Sequence, residues 1–277
     1  MIAHQTIVLF LGGIGAGVIG SIFGLGGGII IVPLLVLILK IPIHYAVATS
    51  LLCVIATSSA VGSRNVQRGM TNLRLVSVLE IATVIGAICG GAIAGYLHPQ
   101  QLEIVFAVAV SLLAIPMALS REVVMPAPPD HHDGGFVARL RGAYYDPALG
   151  HEVHYDVERL PVAMAISGVA GMASGLLGIG GGVIKVPALT LYSRVPVKAA
   201  AATSNFMIGV TAVASAFVYY GRGEVLPVVT ATAVLGVFAG SRLGLVFAER
   251  AHSSVLRKVF AVLMLVIAAH MAWQAMR

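Results

Sequence analysis

Charge is what this sequence has least of. Only 10% of its 277 residues are Asp, Glu, Lys or Arg, against about 25% in a soluble domain. A chain so poor in charge cannot cover a water-facing surface, which excludes an ordinary soluble globular protein. Cysteine is nearly absent too. Cys53 and Cys89 both lie inside apolar runs, so neither a disulfide framework nor a metal site is expected, and both read as small buried hydrophobes. HExxH, CxxC and GxSxG patterns are missing. The GxGGG runs follow no strand and lead to no GK[ST] ending, so hydrolase, metalloprotease and nucleotide-loop chemistries find no footing. The chain reads as a non-enzyme without a cofactor. No basic region precedes the first apolar run, which is therefore read as a span and not as a cleaved leader. No Asp or Glu stands at mid-span, so a carboxylate proton relay is not expected.

What the chain does have is apolar surface. Hydrophobic residues make up 58% and the mean hydropathy is +0.97. Lipid is thus the solvent for most of it. The net charge of +6 sits in short loops, where it speaks for membrane topology and not for nucleic acid.

It also has an internal repeat. The run Ser21 to Pro33, SIFGLGGGIIIVP, returns as GLLGIGGGVIKVP from Gly175 to Pro187, shifted by 154 residues. The shift holds without a gap from Gly24 to about Ala118 and gives more than two dozen identities over 95 positions. Among them are Pro42 with Pro196, Ala48-Thr49-Ser50 with Ala202-Thr203-Ser204, Arg68-Gly69 with Arg222-Gly223, and Gly86 and Gly90 with Gly240 and Gly244. A duplicated, glycine-broken apolar unit is how many secondary transporters are built.

Five apolar elements are expected per copy, at 4–23, 28–39, 44–63, 75–97 and 102–119, then at 161–177, 182–193, 198–220, 226–248 and 254–275. Most are long enough to cross a ~30 Å hydrocarbon core. The second of each copy is not; its twelve residues give only ~18 Å of helix. Each of these follows a glycine cluster and reads as a half-helix or as the return arm of a re-entrant hairpin. The expected fold is therefore all-α integral membrane, with membrane repeats at 1–119 and 161–277 and a polar connecting loop at 120–160.

An odd number of elements per copy requires the copies to be inverted, and loop charge agrees. Arg64, Arg68 and Arg74 place their loop in the cytoplasm, whereas the matching loop holds Arg222 and Glu224. The loop near His98 and Glu103 is not basic, whereas its mate has Glu249, Arg250, Arg257 and Lys258. Arg194 and Lys198 fall inside by the same parity. The chain is thus expected to be multi-pass in the cytoplasmic (inner) membrane, with the 120–160 loop inside and both termini outside. That loop is either a docking tab or a solvated linker. Its Asp146-Pro-Ala-Leu-Gly150 tract reads as the turn of a short β-hairpin. His131-His132, His151 and His154 match no metal signature, so no metal site is assigned.

The glycine clusters are the strongest site signal. Gly24, Gly26, Gly27 and Gly28 cannot all sit comfortably in one helix. A break in lipid strands N–H groups and must face protein, water or ligand. Two inverted half-helix N-termini meeting at the midplane would form an anion site; close helix packing is the alternative. Thr49 and Ser50, with Thr203, Ser204 and Asn205, bring groups that could donate to anion oxygens or serve their own helix. Lys185 either adds a cation to that site or snorkels to the near interface. Glu80 and Arg242 are placed within reach of an interface, and His270 and Trp273 read as interfacial anchors. The expected substrate-binding set is Gly26, Gly27, Gly28, Thr49, Ser50, Gly180, Gly181, Gly182, Thr203, Ser204, Asn205 and Lys185.

At Gly24-Leu-Gly-Gly-Gly28 with Val32-Pro33 and Ala48-Thr49-Ser50, and at Gly178-Ile-Gly-Gly-Gly182 with Val186-Pro187 and Ala202-Thr203-Ser204-Asn205, the chain resembles the sulfite exporter TauE/SafE family. This family is also called the toluene sulfonate uptake permease family. The likeness covers nearly the whole chain, including Tyr144-Tyr145-Asp146-Pro147. It implies a bacterial or archaeal permease for small sulfur-containing anions such as sulfite, sulfonates or sulfoacetate. The resulting expectation is a secondary transporter working by alternating access, with a small anion and the lipid bilayer as partners and homo-oligomerisation left open. The substrate's own charge, or a proton carried on it, would supply the coupling. A passive anion channel and a membrane scaffold or sensor acting through the 120–160 loop are the alternatives.

Overall fold

The structure, a computed structural model, describes residues 3–24, 26–119, 140–146, 150–248 and 254–275. These form ten helices and one hairpin: α1 (Ala3–Phe23), α2 (Gly28–Pro33), α3 (Ile43–Gln67), α4 (Leu73–Ala94), α5 (Pro99–Leu119), β1 (Gly142–Asp146), β2 (His151–Tyr155), α6 (Leu160–Leu177), α7 (Gly182–Leu191), α8 (Val197–Gly221), α9 (Pro227–Ala248) and α10 (Ser254–Ala275). Among the described residues six helices are long and apolar enough to cross a membrane. Their outward faces carry side chains such as Ile81, Phe217 and Leu235, exposed by 62%, 72% and 63%. Water would reject such a surface and lipid accepts it. The chain is an all-α integral membrane protein.

The short elements end for the same reasons in both copies. Pro33 and Pro187 lie inside α2 and α7 and remove one rung of the helical ladder each. After Pro33 the chain loosens into a π-turn, Leu34–Ile38. Ile41 N–H then reaches back to Leu35 O at 3.0 Å, and Val195 N–H to Leu189 O at 3.0 Å. Lys40 (φ 53°) and Arg194 (φ 54°) take the left-handed conformation at equivalent positions. Pro42 and Pro196, at φ −56° and −53°, then launch α3 and α8.

Helix packing maps onto itself when the copies are exchanged. Helix α1 lies on α9 as α6 lies on α4; α3 touches α9 as α8 touches α4; α2 lies on α3 as α7 on α8; and α3 pairs with α8, α5 with α10. Small residues allow the closest of these approaches. A Cβ on Gly240 would strike the Ile14 carbonyl, and one on Gly86 the Gly168 carbonyl. Paired residues also give direction. Thr211 meets Glu80 at 2.9 Å, Ser215 meets Ala87 O at 3.5 Å and Arg222 meets Gly91 O at 2.6 Å, so α8 and α4 ascend together. Thr49 meets Thr230 at 3.1 Å and Arg64 meets Leu245 O at 3.5 Å, so α3 and α9 ascend together.

The expected hairpin is present. Strands β1 and β2 pair antiparallel from Gly142↔Tyr155 to Asp146↔His151, and Gly150 (φ 71°) returns its N–H to Asp146 O at 2.9 Å. It is docked, not solvated. Leu140, Tyr144, Tyr155 and Val157 share a buried cluster with Leu75 and Leu79 of α4, Ala163 of α6 and Met207 of α8. Buried Asp146 receives Lys198 Nζ at 2.7 and 2.8 Å, and Asn72 Nδ2 donates to Leu140 O at 2.8 Å. Burial pushes the Tyr155 phenol above its ordinary pKa, opposed by a hydrogen bond with Asn72. The ring therefore stays neutral at physiological pH. The His131-His132 pair and the loop carrying Glu249 and Arg250 lie outside the described residues.

Glycine packing sets the spacing of α1 and α9. Replacing Gly240 with Leu should cost about 1–3 kcal/mol through overpacking and lower the thermal midpoint in detergent. Gly15→Leu, where an added Cβ meets nothing within 4 Å, should leave the midpoint unchanged. Equal midpoints for the two variants would contradict this packing.

Candidate functional site

Both helices that were expected to break do break, and at the same glycines. Gly24, Gly26 and Gly27 have φ of 68°, 74° and 74°; Gly178, Gly180 and Gly181 have 71°, 78° and 70°. Only glycine takes up three such positions in four residues without strain. Gly27 and Gly181 are the N-caps of α2 and α7, and neither helix start has a side-chain cap. Each cap carbonyl accepts from the third and fourth helical amides: Ile30 and Ile31 at 3.1 and 3.2 Å, and Ile184 and Lys185 at 3.2 and 3.1 Å. The first amides of both helices are thus left to whatever lies between them.

What lies between them is the other copy. A Cβ on Gly28 would collide with the Gly178 carbonyl, and one on Gly182 would stand 3.0 Å from the Gly24 carbonyl. Ser50 Oγ donates to Gly178 O at 2.8 Å. Asn205 turns its side-chain amide toward Gly24. The two turns interlock, each helix start seated against the carbonyl of the opposite turn. Beside Gly26 and Asn205 lies a cavity of about 10 Å³, also lined by Gly20, Thr57, Ser58, Val61 and Ile208. Such a space holds about one water at most, so the turns are closed on each other in this conformation. Four buried hydroxyls of the second copy, Ser174, Thr190, Ser193 and Ser204, have no hydrogen-bond partner. Ser174 stands against Gly181. Buried unpaired donors at a helix break are places where a ligand or water belongs.

The structure therefore brings together Gly26, Gly27, Gly28, Ser50, Gly180, Gly181, Gly182 and Asn205 from the expected set, with Ser204 adjoining Asn205 in sequence. It turns three others away. Thr49 Oγ1 pairs with Thr230 Oγ1 at 3.1 Å. Thr203 Oγ1 accepts from the Asn72 amide at 3.2 Å. Lys185 is buried (1% exposed) and donates to Thr211 Oγ1 at 3.0 Å, so it does not snorkel.

Lys185 leads to a group that sequence reasoning misplaced. Glu80 does not reach an interface: it is 9% exposed, and its Oε1 lies 2.9 Å from Thr211 Oγ1. Its Oε2 is buried without a partner. The signal was legible as a lone acid in an otherwise apolar span, but linear depth along α4 pointed to the interface. Arg242, by contrast, lies exposed with its guanidinium 5.1 Å over the Phe238 ring.

Comparison with known proteins agrees with this architecture. The family described as Sulfite exporter TauE/SafE matches residues 9–271. The chain is 24% identical to the "Probable membrane transporter protein YunE" of Bacillus subtilis, over 97% of each chain. It is 25% identical to a "Probable membrane transporter protein" of Xylella fastidiosa, over 98% of this chain and 97% of that one. It is 26% identical to one of Haemophilus influenzae, over 97% of each. No solved structure matches.

The Lys185–Thr211–Glu80 chain yields a stability prediction. Lys185→Met leaves a buried carboxylate uncompensated and should destabilise by about 3–5 kcal/mol. The double variant Lys185→Met/Glu80→Gln should recover most of that loss. Thermal or chemical unfolding of the four proteins in one detergent measures the coupling; strictly additive effects would mean that the two side chains do not sense each other. With a membrane-length fold and a match over nearly its whole length, the chain belongs to the sulfite exporter TauE/SafE family of membrane transporters.

Proposed function

We propose that this protein is a secondary transporter that moves a small sulfur-containing anion of the sulfite, sulfonate or sulfoacetate type across the cytoplasmic membrane by alternating access. The observation that carries the reading is the interlock itself: two uncapped helix starts, from two copies of one sequence, closed on each other at glycine turns. Helix starts favour anions through their free amides and dipole. The family description supplies the sulfur chemistry.

The anion binds between Gly26–Gly28 and Gly180–Gly182, with Ser50, Ser204 and Asn205 as side-chain donors. Thr49, Thr203 and Lys185 support the site from behind. Binding requires the turns to separate, since the cavity of about 10 Å³ is too small for an oxyanion. The membrane repeats are 1–119 and 161–277, and they are inverted. What supports the inversion is direction: α4 runs with α8 and α3 with α9, while the short loops after Gln67 and Gly221 turn α4 against α3 and α9 against α8. Equivalent helices of the two copies therefore run oppositely. By loop charge the 120–160 segment is cytoplasmic and both termini are outside. Opening on one side while the other stays closed follows from rocking one copy against the other.

In proteoliposomes loaded with unlabelled sulfite or sulfoacetate, labelled substrate should enter by saturable counterflow. Asn205→Ala should weaken apparent affinity about 10–100-fold, the scale of a lost hydrogen bond to a charged group. Linear, conductive flux without counterflow would identify a pore and overturn the carrier reading. Unchanged affinity in Asn205→Ala and Ser204→Ala would remove the anion from this site.

A further inference from the structure

We propose that Glu80 is the protein's proton site, loaded when the anion binds because both compete for Lys185, the one buried cation among the described residues. This rests on the anion reading above.

The geometry is a three-residue chain. Lys185 Nζ donates to Thr211 Oγ1 (3.0 Å), and that hydroxyl faces both Glu80 Oε1 (2.9 Å) and the Met207 carbonyl (2.7 Å). A threonine hydroxyl has one proton and two lone pairs, so it cannot donate to both acceptors at once. With Glu80 ionised, the hydroxyl turns to Glu80. With Glu80 protonated, the carboxyl O–H donates to Oγ1 and the hydroxyl turns back to Met207. The hydroxyl is satisfied in both states, and Lys185 keeps its acceptor in each. A proton can arrive at the partnerless Oε2, and a half-turn of the carboxyl then brings the new O–H to Oγ1.

Duplication sharpens the point. The mate of Thr211 is Thr57, which bonds back to Cys53 O at 3.1 Å as Thr211 does to Met207. The mates of Lys185 and Glu80 are Ile31 and Val234. The hydroxyl is common to both equivalent sites, and the charges, Glu80 from the first copy and Lys185 from the second, stand at one of them. Packing does not require them, since the equivalent site fills the same two positions with the apolar Ile31 and Val234.

Position links the pair to the anion. Lys185 lies three residues beyond Gly182, about 4.5 Å of helical rise from the start of α7. Helix α8 presents Ile208 to Gly26 and Gly182, and one turn later Thr211 to the pair. Among the described residues no other titratable group faces Glu80 from the elements packed on it. Helix α6 carries none. On α8, Lys198 is engaged by Asp146, Tyr219 donates to Gly175 O, and Tyr220 is 71% exposed. Just past α7 stands Tyr192, 45% exposed. On α4 itself, Arg74 stands at the hairpin end and Cys89 is exposed. From the hairpin side, Tyr144 and Tyr155 close the adjoining cluster through Leu79 and Met207. An anion at the start of α7 adds a second negative charge beside one buried cation. The dry interior does not tolerate the surplus, and a proton on Glu80 removes it. Anion and proton then cross together, one of each.

The test is an infrared pH titration of the intact protein in lipid vesicles, read at the carbonyl stretch of protonated carboxylic acids. The wild type should gain one band on acidification that is missing in Glu80→Gln. Lys185→Met should show that band at higher pH. Sulfite or sulfoacetate should also move the wild-type band to higher pH, and probe affinity should rise about tenfold per pH unit of acidification across that window, with a flat profile in Glu80→Gln. Should Glu80→Gln fail to fold, the double variant Lys185→Met/Glu80→Gln replaces it. A wild-type spectrum with no band assignable to Glu80, or a band that ignores both the bound anion and Lys185→Met, overturns the proposal. Failure of both probes to bind speaks against the cargo class alone; the shift of the anion-free band in Lys185→Met then decides on Glu80.

Discussion

Backbone polar groups have no water to turn to inside a bilayer, and everything in this structure follows from where that rule is broken. Two helices stop in mid-course at Gly24–Gly27 and Gly178–Gly181. Each leaves carbonyls and amides that lipid cannot satisfy. The breaks survive because they meet: the Gly178 carbonyl takes the Ser50 hydroxyl and lies against Gly28, while the Gly24 carbonyl lies against Gly182. One copy alone would have an unsatisfied hole. Two copies make a closed, polar centre in an apolar bundle, held by long helices whose glycines let them pack closely.

A centre of this kind is well suited to a guest that water holds strongly. Its groups are fixed dipoles, so an anion can be received without a buried permanent cation in contact with it. The same closure that satisfies the backbone also excludes the guest, and separating the turns exposes donors that need one. In the proposed mechanism, binding and movement are therefore one event at this site. The charged pair on one side of the bundle adds bias to an otherwise even architecture. The hairpin, docked through Asp146–Lys198 and its tyrosines, covers the end of the bundle nearest that pair.

Much of this was legible because the relevant physics is local. Glycine runs, Val-Pro pairs and Pro42/Pro196 fix breaks and starts through backbone geometry, and duplication marks them as shared features. Spans 28–39 and 182–193 were expected and Gly28–Ile38 and Gly182–Leu191 are found; strands flanking Asp146–Gly150 were expected and form. The directions of side chains were not legible. Thr49 and Ser50 are neighbours in sequence, yet one serves Thr230 and the other Gly178, because adjacent helical positions point about 100° apart. Glu80 was misplaced for a related reason: depth along a helix says how near a residue is to water, whereas its burial depends on α7 and α8 arriving from the other copy. The docking of the hairpin likewise depends on distant partners, Asn72 lying 68 positions from Leu140 and Lys198 lying 52 from Asp146.

The account's central claim is that the two glycine turns part to admit an anion. A density map of the protein in lipid nanodiscs with saturating sulfite or sulfoacetate tests it most directly. The account predicts the Gly24–Gly28 and Gly178–Gly182 turns drawn apart, with density between the first amides of α2 and α7 and within hydrogen-bond reach of Asn205. Turns still in contact, with the anion bound elsewhere in the bundle, would contradict it.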